Sequence, residues 1–192
     1  ALGEADRDGT RVAVMFIDVD DFKRINDTRG HAVGDAVVVA VAERVSSIAR
    51  ESDTVARLGG DEFAILLEGI RSDADVERIA APITEAFNRP LLVDGRETDA
   101  TASIGAACSQ PGDDAEQLLR KADIAMYNAK SAGKARCVLF QPHMQEQLHD
   151  RLRLEQDIDL ALARDELFLE FQPVVDLTSR ELLGVEALVR WN

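Results

Sequence analysis

The chain reads RVAVMFID at residues 11–18 and TVARLGGDEFAILL at residues 54–67. The first stretch is almost entirely apolar and rich in β-branched residues, a pattern that predicts a strand buried on both faces of a sheet. In the second stretch, short apolar runs flank the letters GGDE at residues 59–62, which predicts a β-hairpin with glycines at its turn. Both stretches place acidic residues beside a strand end, so they predict a central sheet with carboxylates at one edge.

The spacing of apolar residues elsewhere predicts helices that alternate with further strands. Helices are predicted at residues 22–29, 34–50, 72–88 and 115–132. Strands are predicted at residues 90–93 and 97–108, as a hairpin around Asp94 and Gly95, and at residues 136–140. Because strands and helices interleave, we expect an α/β fold, an α+β sandwich of the ferredoxin-like type with a mixed central sheet and flanking helices.

The pattern changes after Pro142. Residues 143–164 contain neither Gly nor Pro and carry apolar residues at helical spacing, which predicts an amphipathic connector helix. Two short β-like segments follow, at residues 167–177 and 181–191. We therefore divide the chain into a globular domain at residues 1–140, a connector helix at residues 141–165, and the truncated beginning of a second domain at residues 166–192.

The composition narrows the class of protein. The 192 residues are 46% hydrophobic and 30% charged, and the formal net charge of −14 argues against a nucleic-acid partner, which requires a basic face. The longest apolar run covers only residues 36–42, whereas a membrane-spanning helix needs about 20 residues. No signal-peptide pattern begins the sequence. We expect a cytoplasmic fragment without membrane contact, whose parent protein can still be attached to a membrane elsewhere.

Four acidic residues form the main candidate site. Asp18 and Asp20 lie where the first strand runs out, and Asp61 and Glu62 lie in the glycine turn, so one sheet edge can bring them together. Such oxygen ligands suit Mg²⁺, and two ions about 3.5–4 Å apart can support in-line displacement at phosphorus. The alternative is that these residues are merely acidic turn residues on a solvated edge, because acidic residues are common in turns for local hydrogen-bonding reasons.

The letters GGDEF at residues 59–63 are the signature of the GGDEF family of diguanylate cyclases, and two further segments resemble that family. FIDVDDFKRINDTRGHAVGD at residues 16–35 is similar to its nucleotide-binding segment, and ADIAMYNAKSAGK at residues 122–134 is similar to its closing helix. The resemblance implies a nucleotidyl-cyclase, palm-type fold. It also implies condensation of two GTP molecules into cyclic di-GMP and two pyrophosphates, in a homodimer that holds one GTP on each protomer.

The same resemblance implies roles for individual residues. Asp18 and Asp61 would bind Mg²⁺ or Mn²⁺ together with the carbonyl of Val19, and Glu62 would act beside the attacking hydroxyl as base or orienting group. Contacts to GTP are implied for Asn26 and Asp35 at the guanine, for the backbone at Phe22, Lys23, Gly59 and Gly60, and for Lys130 and Lys134 at the phosphates.

Several of these residues have a plainer alternative. Asp18 and Asp35 could cap a strand and a helix, and Asn26 could be an ordinary helix or turn residue. Phe22 could belong to the core, and Lys130 could be solvated. We expect a structural role for His31, although it lies in the family's Gly-His pair.

A second motif precedes the glycine turn. Residues 50–53 read RESD, and five residues separate Asp53 from Gly59. In the GGDEF family this RxxD spacing marks a product-inhibition site, so the resemblance implies that Arg50 and Asp53 bind cyclic di-GMP. An ion pair at the end of a helix is the alternative.

The C-terminal segment resembles the beginning of an EAL domain, the phosphodiesterase that degrades cyclic di-GMP. The matching letters are FQP at residues 171–173 and EAL at residues 186–188. In that family Glu186 would be a metal ligand, and Gln172 and Arg190 would contact the dinucleotide. Since nearly all of the EAL barrel is missing, we expect no hydrolase activity from this chain and a GGDEF–EAL tandem as its parent.

Some positions depart from the GGDEF pattern. Lys134 replaces a usual arginine, Ala135 a usual asparagine and Arg29 a usual apolar residue, and the family's opening Asp-x-Leu-Thr turn and Asn-Arg pair are missing. A lysine contacts phosphate as a point charge, without the bidentate geometry of arginine. Two other functions therefore stay open: a catalytically silent GTP-binding module that regulates an attached EAL phosphodiesterase, and an interaction domain that binds no guanine nucleotide.

Overall fold

The computed structural model describes residues 1–93 and 95–192. These residues form two compact units, Ala1–Gln145 and Glu146–Asn192. The first unit contains, in chain order, α1 (Leu2–Asp8), β1 (Arg11–Val19), α2 (Phe22–Arg29), α3 (His31–Ile48), β2 (Thr54–Gly59), β3 (Glu62–Ile70), α4 (Asp73–Phe87), β4 (Leu91–Val93), β5 (Arg96–Thr98), β6 (Ala102–Cys108), α5 (Ala115–Ser131) and β7 (Cys137–Leu139). Helix α6 (Pro142–Ala163) crosses the boundary, and β8 (Leu167–Val175) and β9 (Leu182–Trp191) follow it.

Five strands of the first unit form the central sheet, in the order β2-β3-β1-β6-β7. The apolar strand β1 lies in the middle, antiparallel to β3 on one side and to β6 on the other. Strand β2 is antiparallel to β3, whereas β7 runs parallel to β6. The predicted fold class, a mixed central sheet with flanking helices, is confirmed.

Alternation along β1 supplies apolar side chains to both faces of the sheet. Met15 and Ile17 are fully buried in one cluster, which also contains residues of α3 and α4. Val14 belongs to a second cluster, to which α5 contributes Leu118 and Ala122. Because burial of one aliphatic side chain contributes about 1.5–3 kcal/mol, packing from both sides holds β1 firmly in place.

Helix α5 lies directly against β6 at Gly105. A Cβ atom on Gly105 would overlap the backbone nitrogen of Met126 and the carbonyl oxygen of Ala122. Only glycine permits this approach, because backbone atoms cannot move aside as a flexible side chain can. The contact sets the distance of α5 from the sheet, and thereby the position of Lys130 near the end of that helix.

The strand predicted at residues 97–108 is in fact two strands. Strand β5 pairs with β4 in a separate two-stranded sheet, and β6 belongs to the central sheet. The difference follows burial, since β6 is buried along nearly its whole length and β5 is mostly exposed. Asp94, at the turn of the predicted hairpin, lies outside the described residues.

Helix α3 begins at His31, earlier than the predicted residue 34, and ends at Ile48 rather than at residue 50. Gly30 has a φ of 87° and separates α2 from α3 by a single residue. The prediction began the helix at Gly34, but Gly34 is an interior residue of α3. Ala49 is extended and ends the helix. The short helix α1 was not predicted.

The second unit contains an antiparallel hairpin of β8 and β9. Its register runs from Leu167 opposite Trp191 to Val175 opposite Leu182, and its side chains are mostly exposed. The two β-like segments and the long helix predicted for the C-terminal part are therefore present.

Candidate functional site

The pairing of β1 with β3 brings the first strand end and the glycine turn together. Asp18 lies directly opposite Glu62 in the register, and the N–H of Val19 donates to the carbonyl of Asp61 at 3.3 Å. Residues directly opposite each other in antiparallel strands project to the same face, with Cβ atoms about 4.5–5.5 Å apart. The side chains of Asp18 and Glu62 therefore share one face, and Asp61 adjoins them at the turn.

Lys130 reaches this acidic edge from α5. Its Nζ lies 2.8 Å from Oδ2 of Asp18, and Asp18 is only 9% exposed. Burial raises the pKa of Asp18 above its ordinary value, the hydrogen bond and charge of Lys130 oppose that rise, and the nearby charges of Asp61 and Asp20 add to it. Lys130 thus neutralises only part of the negative charge, so a further cation at this edge would be stabilised.

The donor atoms at this edge fit a Mg²⁺ ion without forming a complete cage. No group of three or more His, Cys, Asp or Glu side chains is arranged to hold a metal in the part of the chain that the structure describes. Mg²⁺, however, is commonly bound through one or two carboxylates with substrate phosphates completing its shell. Asp18, Asp61 and the carbonyl of Val19 are hard oxygen donors of that type.

Arg57 holds the glycine turn, a role that the sequence analysis missed. Its Nε and Nη2 donate to the carbonyl of Gly60 at 3.0 and 2.7 Å. Gly60 has a φ of 51°, and a Cβ atom on either Gly59 or Gly60 would meet nothing within 4 Å. The turn is thus fixed from the strand side and open on the other, which leaves room for a ligand against the backbone.

Asp20 belongs to the structural framework, although the sequence grouped it with Asp18. Its carboxylate accepts from the hydroxyls of Thr101 and Ser103, both at 2.7 Å, and from the N–H of Ala135 at 3.1 Å. Ala135 and Lys134 adopt left-handed conformations, with φ of 49° and 62°. Asp20 therefore ties the end of β1 to β6 and to the loop after α5.

Lys134 forms an ion pair with Asp21 at 2.7 Å. The hydrogen bond lowers the pKa of Asp21 and raises the pKa of Lys134. Both side chains remain well exposed, at 43% for Lys134 and 47% for Asp21. Since the contact is exposed, a stronger anion can compete for Lys134, which lies beside the loop that Asp20 holds.

The two residues predicted to contact guanine lie on neighbouring helices. Asn26 lies on α2 and is half-buried, while Asp35 lies on α3 and is exposed. Phe22 begins α2 and packs against the main core, so its side chain has the structural role that was the alternative. Lys23 and His31 are exposed, so His31 is not a core residue.

The RxxD residues form a local turn. Oδ2 of Asp53 accepts from the backbone N–H of Arg50 at 2.9 Å, and the N–H of Asp53 donates to the carbonyl of Arg50. Oδ1 of Asp53 is buried and has no hydrogen-bond partner within the described residues. The observed contact is therefore made by the backbone of Arg50, whose side chain stays exposed.

The predicted EAL residues share the hairpin of the second unit. Gln172 lies directly opposite Glu186. Nε of Arg190 donates to Oε2 of Glu170 at 2.8 Å.

Residues 1–136 match the family described as "Diguanylate cyclase, GGDEF domain". The chain therefore belongs to the GGDEF family. Within the described residues, no helix is both long and apolar enough to cross a membrane.

Two curated proteins of Pseudomonas aeruginosa are similar to this chain in sequence. The bifunctional diguanylate cyclase/cyclic di-GMP phosphodiesterase MucR of Pseudomonas aeruginosa is 40% identical over 194 residues, which cover 100% of this chain and 28% of MucR. Diguanylate cyclase TpbB of the same organism is 48% identical over 132 residues, which cover 68% of this chain and 30% of TpbB. The chain thus spans less than a third of the length of either curated relative.

Solved structures of GGDEF domains are similar to this chain as well. The crystal structure of the TpbB GGDEF domain matches with a TM-score of 0.69 and 44% identity, covering 73% of this chain and 88% of that one. The coiled coil and GGDEF domain of DgcB from Caulobacter crescentus, in complex with c-di-GMP, matches with a TM-score of 0.63 and 32% identity, covering 72% and 74% of the two chains.

Asp20→Ala tests the structural role of this carboxylate. The substitution leaves three donors, from Thr101, Ser103 and Ala135, without their acceptor, and a buried donor left unpaired costs about 1–3 kcal/mol. We expect the free energy of unfolding in urea to fall by about 2–3 kcal/mol. Asp27→Ala, at an exposed position of α2, is the control and should change it by less than about 0.5 kcal/mol. Equal, small effects of both substitutions would contradict the assignment.

Proposed function

We propose that this chain is a diguanylate cyclase domain that condenses two GTP molecules into cyclic di-GMP and releases two pyrophosphates. The observation that carries the proposal is the register of β1 and β3, which sets Asp18 opposite Glu62 beside Asp61. Lys130 supplies a fixed positive charge at the same edge. The family membership and the name of TpbB support the same reaction class.

The reaction is a nucleotidyl transfer. The 3′-hydroxyl oxygen of one GTP forms a bond to the α-phosphorus of the other, the bond from that phosphorus to the pyrophosphate oxygen breaks, and the hydroxyl proton leaves. Glu62 is exposed beside the turn, where it can accept that proton or orient the hydroxyl. A second transfer in the opposite direction closes the ring, so two protomers must face each other as a homodimer.

Asp18, Asp61 and the carbonyl of Val19 would hold Mg²⁺ or Mn²⁺. When bound, such an ion neutralises phosphate charge and lowers the pKa of a coordinated hydroxyl. Lys130 already lies at Asp18 and would pair with the triphosphate as a second source of positive charge. This local charge matters because the protein carries a net charge of −14, which repels a nucleotide.

Guanine would lie between α2 and α3. The carboxylate of Asp35 can accept hydrogen bonds from guanine N1–H and N2–H, which adenine does not offer, and Asn26 would contact the same base. The phosphates would meet the backbone N–H groups at Phe22 and Lys23, where the N-terminal end of α2 favours anions. Gly59 and Gly60 would allow close approach of the nucleotide. Lys134 would leave its ion pair with Asp21 and bind a phosphate group instead.

Arg50 and Asp53 would form the product-inhibition site. Oδ1 of Asp53, which is buried and has no partner among the described residues, is an acceptor that a guanine N–H can satisfy, and the exposed guanidinium of Arg50 can bind phosphate.

One specific observation favours a second function: Lys134 is paired internally with Asp21. A lysine held in that ion pair does not contact phosphate, as fits a catalytically silent GTP-binding module attached to an EAL phosphodiesterase. In such a parent protein, Gln172, Glu186 and Arg190 would belong to the phosphodiesterase.

Asp61→Asn tests the cyclase proposal. We expect the chain, incubated with GTP and Mg²⁺, to release pyrophosphate and form cyclic di-GMP, as measured by chromatography. The substitution removes a negative metal donor, so the rate should fall by roughly 100-fold or more. Asp6→Asn, at an exposed position of α1, should leave the rate unchanged. GTP binding without any product would establish the regulatory module, and no GTP binding at all would establish an interaction domain.

Arg50→Ala tests the product-inhibition site separately. Loss of a charge-assisted phosphate contact should weaken cyclic di-GMP binding, measured by calorimetry, by roughly tenfold or more. GTP affinity should stay as in the wild type, because residues 50–53 are outside the proposed GTP pocket. Unchanged cyclic di-GMP affinity, or an equal loss of GTP affinity, would contradict a separate site.

A further inference from the structure

The Asn26 side chain lies in the space that a side chain at position 34 would occupy. A Cβ atom on Gly34 would overlap Oδ1 of Asn26, would lie 2.9 Å from its Cγ and 3.3 Å from Cζ of Phe22. Gly34 itself is buried inside α3. Among the helical glycines of the described chain, Gly3 shows the opposite case, since a Cβ atom there would meet nothing within 4 Å.

The Asn26 carboxamide lies against the bare backbone of Gly34. It is half-buried at the junction of α2 and α3, yet none of the described residues forms a hydrogen bond with it. The carboxamide makes no hydrogen bond within the described residues and can bind a ligand, and the absent side chain of Gly34 leaves room for its Oδ1 beside α3.

We propose that Gly34 is a specificity-determining positioning residue, which seats Asn26 for recognition of the guanine base. The inference rests on the proposed function, because it takes GTP as the ligand. A helix interior normally disfavours glycine by about 1 kcal/mol relative to alanine. Glycine at position 34 therefore makes α3 less stable than alanine would, but it leaves space beside the helix, and the Asn26 side chain occupies that space.

An added methyl group would meet different kinds of atoms at Gly34 and at Gly105, so the effect on Asn26 can be measured without unfolding the chain. At Gly105, an added methyl would meet backbone atoms, which cannot move aside. At Gly34, it would meet the far end of a flexible side chain, which can rotate away. Gly34→Ala should therefore keep the fold, move Asn26 and shift the ring of Phe22 by only a few tenths of an ångström, whereas Gly105→Ala should lower the melting temperature clearly.

The experiment compares the chain with its Gly34→Ala, Asn26→Ala, double and Gly3→Ala variants. We expect Gly34→Ala and Asn26→Ala each to weaken GTP binding by about fivefold, the effect of one lost hydrogen bond, and to change ATP binding less. The double variant should be no weaker than either single variant, because both remove the same contact. In the cyclase assay, KM for GTP should rise while kcat stays near the wild-type value. Gly3→Ala should change none of these quantities.

A second readout without nucleotide keeps the positioning role apart from the proposed function. The side-chain NH₂ signal of Asn26 in a ¹⁵N NMR spectrum, assigned by its loss in Asn26→Ala, should shift in Gly34→Ala and stay in place in Gly3→Ala. An unmoved signal overturns the role of Gly34 whatever the GTP data show. A moved signal with wild-type GTP affinity in Asn26→Ala overturns the guanine contact instead. Multiplying effects in the double variant would also overturn the proposal.

Discussion

The antiparallel register between β1 and β3 is the constraint on which the site depends. Side chains along a strand alternate between the two faces of the sheet, so a slip of one residue would move Asp18 away from Glu62 and bury polar groups in place of Ile17 and Phe63. Ile17 and Phe63 pair with each other and are almost fully buried. Hydrophobic packing on one face thereby fixes the carboxylates on the other.

Charge balance is the second physical feature of the site. The buried Asp18 is costly to ionise, and Lys130 from α5 reduces that cost only in part because Asp61 and Asp20 are nearby. Helix α5 approaches β6 closely at Gly105, and Lys130 near the end of that helix contacts Asp18. Packing on the neighbouring strand β6 thus contributes to the electrostatics at the end of β1.

Much of the fold and the approximate location of the site could be predicted from local sequence. The apolar run of β1 and the glycine hairpin define the middle of the sheet, and their polar ends define its acidic edge. The structural role of Asp20, which differs from the metal-binding role proposed for Asp18, could not be predicted, because it depends on Thr101, Ser103 and Ala135, which are distant in sequence. The internal pairing of Lys134 with Asp21 could not be predicted either, since both residues adopt left-handed backbone, which local propensity disfavours outside glycine.

Binding of Mn²⁺ in the presence of GTP, followed by electron paramagnetic resonance, tests most directly whether Asp18 and Asp61 share a cation. We expect Asp18→Asn and Asp61→Asn each to weaken Mn²⁺ binding by roughly tenfold or more, with no full multiplication in the double variant, because the two groups hold the same ion. Asp6→Asn should bind Mn²⁺ as the wild type does. Wild-type Mn²⁺ affinity in either site variant would contradict a shared metal at the strand end and the glycine turn.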